Sequence, residues 1–198
     1  MSTTAIRIPL AEAEAIAERL IGRLEDCCTR IAVAGSIRRG KPDVGDVELV
    51  AIAKIERFSG GLFDDMGEDV DLLDGRVHMM LDNDEMALRL SKIGQRAFGP
   101  KYKRVIFEGF PADLFVTQPA QWGLIYLIRT GPGEYSHQMV TPKNQYTRDG
   151  RRGLMPLHLQ VRDGWVTHRS TGEQYPTPEE RDVYWHWNLP FVEPGART

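Results

Sequence analysis

The stretch that decides the fold reads AGSIRRG at residues 34–40 and GDVELVA at residues 45–51. The second part alternates acidic with apolar residues, and successive side chains of a strand point to opposite faces. We therefore expect a strand that presents Asp46 and Glu48 on one face and packs its other face on a helix. Neighbouring carboxylates repel each other unless a cation neutralises them, and hard ions such as Mg²⁺ favour oxygen ligands. The pair predicts a metal site.

A glycine–serine turn precedes these acids along the chain. Because glycine has no side chain, the backbone at Gly35 lets a polyanion approach, and its N–H groups with the Ser36 hydroxyl can hold phosphate oxygens. Arg38 or Arg39 would supply compensating charge in bidentate geometry. A phosphate grip beside paired acids predicts metal-assisted phosphoryl or nucleotidyl transfer.

A third acid, Asp113, interrupts the apolar segment FPADLFV at residues 110–116. A carboxylate is costly to bury there unless it is paired or bound to metal. Taken alone, such a residue is as often a strand-edge acid that faces water. Together with Asp46 and Glu48, it predicts a third metal ligand.

Composition bounds the class of protein. The 198 residues are 41% hydrophobic and 27% charged, which suits an ordinary core and excludes wholesale disorder. No run approaches the roughly 20 apolar residues of a bilayer span, and residues 1–7 lack a signal pattern, so we expect neither a membrane nor secretion. Cys27 and Cys28 give no disulfide framework and no zinc spacing, which favours a reducing, cytoplasmic compartment.

The net charge of −3 argues against a simple basic nucleic-acid-binding protein, but the charges are segregated. Residues 64–74 hold six acids and no base, and we interpret them as a solvated loop. Each basic cluster alone is typical of a solvated face, yet three clusters flanking one candidate site favour phosphate contacts. The clusters are Arg38, Arg39 and Lys41; Lys101, Lys103 and Arg104; and Arg148, Arg151 and Arg152.

Periodicity and turn residues predict the remaining elements, and together they indicate an α+β protein with a division near residues 120–140. The expected helices are an amphipathic one over Leu10–Leu24, a short one over residues 85–93, one over residues 118–129 and a C-terminal one opened by TPEE at residues 177–180. We also expect a strand over residues 44–52, a loop or a weak turn of helix over residues 58–75, and a hairpin over residues 103–117.

The Gly-Ser-x-Arg-Arg-Gly segment, the paired acids and the later strand acid resemble the family X DNA polymerases, the DNA polymerase beta-like nucleotidyltransferases. LIRTG at residues 127–131 resembles the palm-to-thumb segment of that family. GEQYPTPEERDV at residues 172–183 and LPFVEP at residues 189–194 look like the family's thumb terminus. This ending is the more specific signal, because Gly-Ser with paired acids marks only the wider nucleotidyltransferase superfamily.

The resemblance implies a nucleotidyltransferase palm over residues 1–125, a mixed β-sheet backed by helices, and a small α/β thumb lobe over residues 126–198. It assigns Asp46 and Glu48 to two Mg²⁺ ions, with Mn²⁺ as the alternative ion, and Asp113 to the catalytic metal beside a primer 3′-hydroxyl. It also implies nucleotide binding by Arg7, Gly35, Ser36, Arg38, Arg39, Thr130 and Gly131.

The sequence departs from the family pattern in three places. Glu48 stands where most members carry aspartate, and Ile128 and Arg129 replace an aromatic pair near the sugar, so sugar selectivity is not carried over. No N-terminal region matches the family's lyase and finger segments. The chain therefore resembles a palm and thumb alone, as in compact viral members, which suggests a phage or other viral source.

The expected function is gap filling or primer extension of DNA from dNTPs, by a monomer, with a role in DNA repair. DNA would be bound through its backbone by Lys101, Lys103, Arg104, Arg148, Arg151 and Arg152. Two alternatives stay open: nucleotidyl transfer to an RNA end, a protein or a small molecule, and a non-catalytic nucleic-acid-binding module. Three converging acids argue against the last, since a binder gains nothing from them.

Overall fold

A computed structural model describes residues 6–58, 67–90 and 94–198, and contacts divide the chain into two units. The first unit comprises residues 1–33 and 43–116, and the second comprises residues 34–42 and 117–198. The first carries thirteen Lys and Arg against twenty Asp and Glu, a net −7, and the second carries twelve against eight, a net +4. The acidic run and one basic cluster, Lys101 with Lys103 and Arg104, lie in the first unit, and the other two basic clusters lie in the second.

The α+β class is confirmed, since the described residues form both helices and strands. The helices are α1 (Leu10–Leu24), α2 (Gly35–Arg38), α3 (Leu72–Asp82), α4 (Trp122–Thr130), α5 (Gly133–Val140) and α6 (Glu180–Trp187). The strands are β1 (Ile8–Pro9), β2 (Cys28–Val33), β3 (Asp43–Val44), β4 (Val47–Ala53), β5 (Ile55–Phe58), β6 (Glu68–Asp71), β7 (Met86–Leu88), β8 (Phe98–Gly99), β9 (Tyr102–Phe107), β10 (Phe110–Val116), β11 (Leu159–Arg162), β12 (Trp165–His168) and β13 (Gln174–Tyr175).

The first unit is built on a mixed six-stranded sheet in the order β2-β4-β10-β9-β7, with β8 beside β9. β4 and β10 run parallel, and the other neighbours are antiparallel. The predicted helix over Leu10–Leu24 is confirmed, and its apolar face contacts β4. Val47, Leu49 and Ala51 are fully buried, so β4 has the apolar face that the alternation predicted.

Several local predictions in the first unit need correction. The predicted strand over residues 44–52 is interrupted at Gly45 and Asp46. For residues 58–75, the helical alternative is correct at the end of the range, where α3 begins and the Asp71 carboxylate accepts a hydrogen bond from the Asp74 N–H at 2.8 Å. The strand β6, which pairs with β5, was not predicted. The helix expected over residues 85–93 is wrong, because residues 86–88 form the strand β7, which pairs with β9. Residues 91–93 lie outside the described residues. Asp64 and Asp65 of the acidic run also lie outside them.

The second unit packs α4, α5 and α6 with a three-stranded antiparallel sheet in the order β11-β12-β13. Its core includes Leu127, Met139, Val166 and Trp187. The C-terminal helix begins at Glu180, not at Pro178. A reciprocal capping box between Glu179 and Asp182 caps its N-terminus.

The predicted palm–thumb boundary, between residues 125 and 126, falls inside α4 of the second unit. Among the described residues, no helix combines the length and the apolar character that crossing a membrane requires.

Candidate active site

The three predicted acids belong to the first unit and to two neighbouring strands. Asp46 directly precedes β4, Glu48 lies within β4, and Asp113 lies in the middle of β10. In the parallel pairing Glu48 is the register partner of Asp113, so the two side chains leave the same face of the sheet. The geometry thus places two of the acids side by side, with the third at the entry of the same strand.

Basic residues continue this row across the sheet. Arg104 on β9 is the antiparallel register partner of Asp113, and its Nε donates to Asp113 Oδ1 at 3.2 Å. The Tyr102 hydroxyl donates to Asp113 Oδ2 at 2.9 Å. Because the Tyr102 ring stacks on Phe115, with ring centroids 4.8 Å apart, its hydroxyl is held in position. Asp113 is therefore oriented from two sides.

Arg89, which sequence reasoning missed, completes the row. It follows β7, and its backbone N–H donates to the Arg104 carbonyl at 3.1 Å. Its Nη1 lies 4.0 Å from Asp46 Oδ2 and 3.8 Å from Asp113 Oδ1. The guanidinium thus lies near both carboxylates. No local pattern predicts this, because the placement depends on the pairing of β7 with β9.

The electrostatics of Asp46 reflect crowding by like charge. Burial raises the pKa of the Asp46 carboxyl above its ordinary value, and the neighbouring Asp113 charge raises it further. The Arg89, Arg104 and Arg7 guanidinium groups lower it, but they do not cancel the rise. The negative charge of Asp46 is therefore only partly offset by the nearby arginines, and a bound cation would stabilise it further.

The acidic residues of this site fit a hard divalent ion by their chemistry, although the described residues form no ready-made cluster. In the described part of the chain, no group of three or more His, Cys, Asp or Glu side chains is arranged to hold a metal. Carboxylate oxygens on one sheet face are nevertheless the ligands that Mg²⁺ prefers. Arg89 Nη1, buried near two of them, has no hydrogen-bond partner among the described residues. A cation bound to Asp46 and Asp113 would neutralise the carboxylate charge that Arg89 offsets only in part.

Arg7, predicted to bind nucleotide, also belongs to the first unit. β1 pairs with β3, and Arg7 Nη2 donates to the Asp43 carbonyl at 2.6 Å. A Cβ added at Gly45 would meet Arg7 Nη1 at 3.5 Å, so the guanidinium lies beside the turn that leads into Asp46. The structure therefore places this cation near the acids.

The predicted phosphate-binding turn belongs to the second unit. Gly35 opens the four-residue α2 at φ +59°, a backbone conformation that favours glycine, and Ser36 follows it. Arg39 Nη1 donates to the Thr130 carbonyl. A Cβ added at Gly131 would lie 3.2 Å from the same nitrogen. Three of the predicted nucleotide-binding residues, Arg39, Thr130 and Gly131, are thus brought together.

Arg38 has different partners, which changes its interpretation. Its guanidinium donates to Glu180 Oε1 and Oε2 at 3.0 and 2.8 Å and to Thr130 Oγ1 at 2.7 Å. It also lies 3.7 Å from the centre of the Tyr126 ring. Because phosphate binding by Arg38 would require breaking this network, we retain Arg39 and not Arg38 as the predicted phosphate ligand. The Thr130 hydroxyl is likewise engaged.

The predicted DNA-binding residues are divided between the two units, and they differ in exposure and in partners. Lys101 is exposed, but Lys103 is only 1% exposed; it pairs with Asp74 Oδ1 at 2.6 Å and donates to the Gly99 carbonyl at 2.9 Å. DNA contact by Lys103 is therefore a prediction that we withdraw, since its charge is already neutralised in the interior. Arg104 faces Asp113, as described above.

In the second unit, Arg148 and Arg152 are exposed, whereas Arg151 pairs with Asp149 at 2.9 Å and donates to the Thr198 carbonyl at 2.5 Å. Arg148 and Arg152 are therefore better placed for phosphate contact than Arg151.

A scan of the chain against models of known protein families finds no match. The similarity to family X polymerases therefore stays a prediction drawn from the residues themselves.

Proposed function

We propose that the protein is a metal-dependent nucleotidyltransferase that adds a nucleotide from a dNTP to the 3′-hydroxyl of a DNA primer, with the palm and thumb of a family X polymerase. The observation that supports this best is the register pairing of Glu48 with Asp113, with Asp46 at the head of the same strand. Adjacent carboxylates cost stability unless a cation joins them. A purely structural role gives no reason to place them together.

The proposed ligands follow from the resemblance and from this placement. Asp46 and Glu48 would hold both of two Mg²⁺ ions, or Mn²⁺ in their stead, and Asp113 would hold the catalytic one. Such ions lower the pKa of a hydroxyl nucleophile and neutralise the charge that develops on phosphates.

In the proposed reaction the primer 3′-oxygen forms a bond to the α-phosphorus, and the bond from that phosphorus to pyrophosphate breaks. The proton of the hydroxyl passes to the Asp113 carboxylate, the candidate base. Tyr102 and Arg104 hold this carboxylate in one orientation through their hydrogen bonds. The contribution of the protein is mainly positioning and charge neutralisation, which dominate phosphoryl transfer.

For the triphosphate, the resemblance assigns Ser36, Arg39 and Arg7. Arg7 lies in the unit that carries the acids and near Asp46, and Ser36 and Arg39 lie in the second unit. Their part in phosphate binding is a proposal carried by residue type and by the family pattern.

DNA binding is proposed for the second unit, whose net charge is +4. A hairpin turn over residues 146–152 presents Arg148 and Arg152, with Tyr146 71% exposed beside them. The Thr147 N–H donates to the Arg151 carbonyl at 2.8 Å, which fixes the turn. Exposed arginines neutralise phosphates and an exposed aromatic ring can stack on a base, so affinity for DNA should fall steeply as salt rises.

The test is template-dependent incorporation on a gapped duplex with labelled dNTPs and Mg²⁺. Asp46→Asn and Asp113→Asn should each abolish incorporation, because each removes a ligand charge while keeping the shape of the side chain. Asp163→Asn is the matched control, since this carboxylate is 79% exposed, and it should leave incorporation unchanged. Circular dichroism melting of each variant checks that the fold survives.

The outcomes separate the candidate functions. Incorporation that follows the template base supports a polymerase, whereas addition that ignores it indicates a nucleotidyltransferase with another acceptor. DNA binding by the wild type without any incorporation indicates a binding module. Undiminished incorporation by Asp113→Asn would remove this site from consideration.

A further inference from the structure

The Arg89 guanidinium lies near two carboxylates and hydrogen-bonds to neither. Its Nη1 is 4.0 Å from Asp46 Oδ2 and 3.8 Å from Asp113 Oδ1, both beyond hydrogen-bond distance. The nitrogen is nevertheless buried and has no hydrogen-bond partner among the described residues. A buried donor without an acceptor is costly, so its position calls for a reason beyond packing.

The backbone around Arg89 is well anchored while its side chain is not. The Arg89 N–H donates to the Arg104 carbonyl, which continues the pairing of β7 with β9. The backbone is thus fixed beside the acids, whereas Nη1 of the guanidinium is near them by charge and without a hydrogen bond to a described residue. Arg104 differs, because its Nε makes a direct hydrogen bond to Asp113.

We propose that Arg89 is an internal counter-ion of the carboxylate site: it compensates Asp46 and Asp113 before a divalent ion binds and competes with that ion. The inference rests on the proposed function, because it takes Asp46 and Asp113 as metal ligands. It deepens that proposal by naming the residue that sets the affinity of the site for its metal.

The competition follows from distance and charge. Divalent magnesium lies about 2.1 Å from a ligand oxygen, so an ion on Asp113 Oδ1 would lie within about 6 Å of Arg89 Nη1 unless the side chain moves. Two cations at that separation repel strongly in a partly buried site. Since Arg89 Nη1 breaks no hydrogen bond with the described residues when it moves away, the guanidinium can withdraw while Arg104 stays to orient Asp113.

The experiment measures Mn²⁺ binding by isothermal titration calorimetry, without nucleotide or DNA. Arg89→Gln removes the charge and should bind Mn²⁺ roughly tenfold more tightly than the wild type. Arg89→Lys keeps the charge and should stay within about twofold of the wild type. Arg19→Gln removes the same charge from an exposed pair with Glu108, and it should leave the affinity unchanged.

A second readout is the melting temperature with and without Mn²⁺. In Arg89→Gln the acids lose their counter-ion, so the metal-free variant should melt lower and gain more from Mn²⁺ than the wild type does. This larger gain reports the same competition without depending on catalysis.

The two proposals fail in different ways. If Asp113→Asn weakens Mn²⁺ binding but Arg89→Gln matches the wild type or binds more weakly, the counter-ion proposal is overturned and the metal site stands. Equal tightening by Arg19→Gln would also overturn it, since only the overall charge would matter. If neither the wild type nor Arg89→Gln binds Mn²⁺, the metal site fails, and the inference fails with it.

Discussion

Replacing Glu180 by glutamine tests the buried ion triad that organises the second unit. Glu180 is 5% exposed and accepts hydrogen bonds from Arg38 at 2.8 and 3.0 Å and from Arg197 at 2.8 Å. The Arg197 side chain is fully buried, and it also donates to the Val192 carbonyl at 3.1 and 3.0 Å. Glu180→Gln keeps the shape of the side chain but leaves two guanidinium groups without their carboxylate.

Removing one partner of a buried pair costs about 3–5 kcal/mol. We expect about 3 kcal/mol, the lower end, because the glutamine oxygen still accepts from one arginine and the Arg38 side chain keeps 19% of its exposure. Urea unfolding followed by tryptophan fluorescence measures the change, since Trp187 in the same unit is buried. Glu134→Gln is the control: Glu134 also lies in the first turn of a helix but is exposed, and its loss should cost about 0.5 kcal/mol.

The dependence of this effect on pH has a definite sign. Burial alone would raise the pKa of the Glu180 carboxyl, but hydrogen bonds and charge from Arg38 and Arg197 hold it below its ordinary value. The stabilisation is therefore fully present above the unfolded pKa of about 4.3, and it is lost as pH falls through the lower folded value. Equal stability of Glu180→Gln and the wild type at pH 7, or a difference that persists in strong acid, would refute the reasoning.

Two further predictions follow from close contacts. Gly123→Ala should destabilise the protein by about 2–3 kcal/mol in urea unfolding, because the added Cβ would lie 2.1 Å from the Glu179 carbonyl oxygen. Gly133→Ala is the control, since the space at its Cβ position is open. In a filter-binding titration, Lys103→Met should leave the affinity for a gapped duplex unchanged, because Lys103 is buried and paired with Asp74. The double variant Arg148→Ala with Arg152→Ala should weaken the affinity and flatten its salt dependence. If a folded Lys103→Met variant binds more weakly, Lys103 is a DNA contact after all.

The part of the site that could be predicted rests on short-range periodicity. Alternation around residues 45–51 predicted the strand that carries Glu48, although Asp46 lies just before β4, and the hairpin that carries Asp113 was also visible in the sequence. Pairing of β4 with β10 makes Asp113 the partner of Glu48, and that step is non-local. The resemblance supplied the idea of convergence, and no spacing rule predicts the register.

Two interpretations of basic residues were wrong for different reasons, one avoidable from the sequence and one not. Lys101, Lys103 and Arg104 form one cluster in sequence, but β9 alternates, so Lys103 shares the buried face with Val105 and Phe107. That alternation was present in the sequence and could have separated Lys103 from Arg104. Arg38 ends α2 and Arg39 follows it directly. No sequence signal indicates that Glu180 is the partner of Arg38, because the contact joins residues distant in the chain.

The difference between a structural and an exchangeable ion pair lies in its hydrogen bonds. Around Glu180, Arg38 and Arg197 reach the carboxylate at 2.8–3.0 Å, and Arg197 has a further acceptor at Val192, so little is gained by exchanging a guanidinium for another ion. Around Asp46 and Asp113, Arg89 Nη1 stops at 4.0 and 3.8 Å. Arg104 and Tyr102 hydrogen-bond Asp113, but Arg89 offsets the charge of Asp46 and Asp113 without a hydrogen bond to either carboxylate. The same residue types thus build a closed network in one unit and, in the other, the looser carboxylate site for which we propose metal binding.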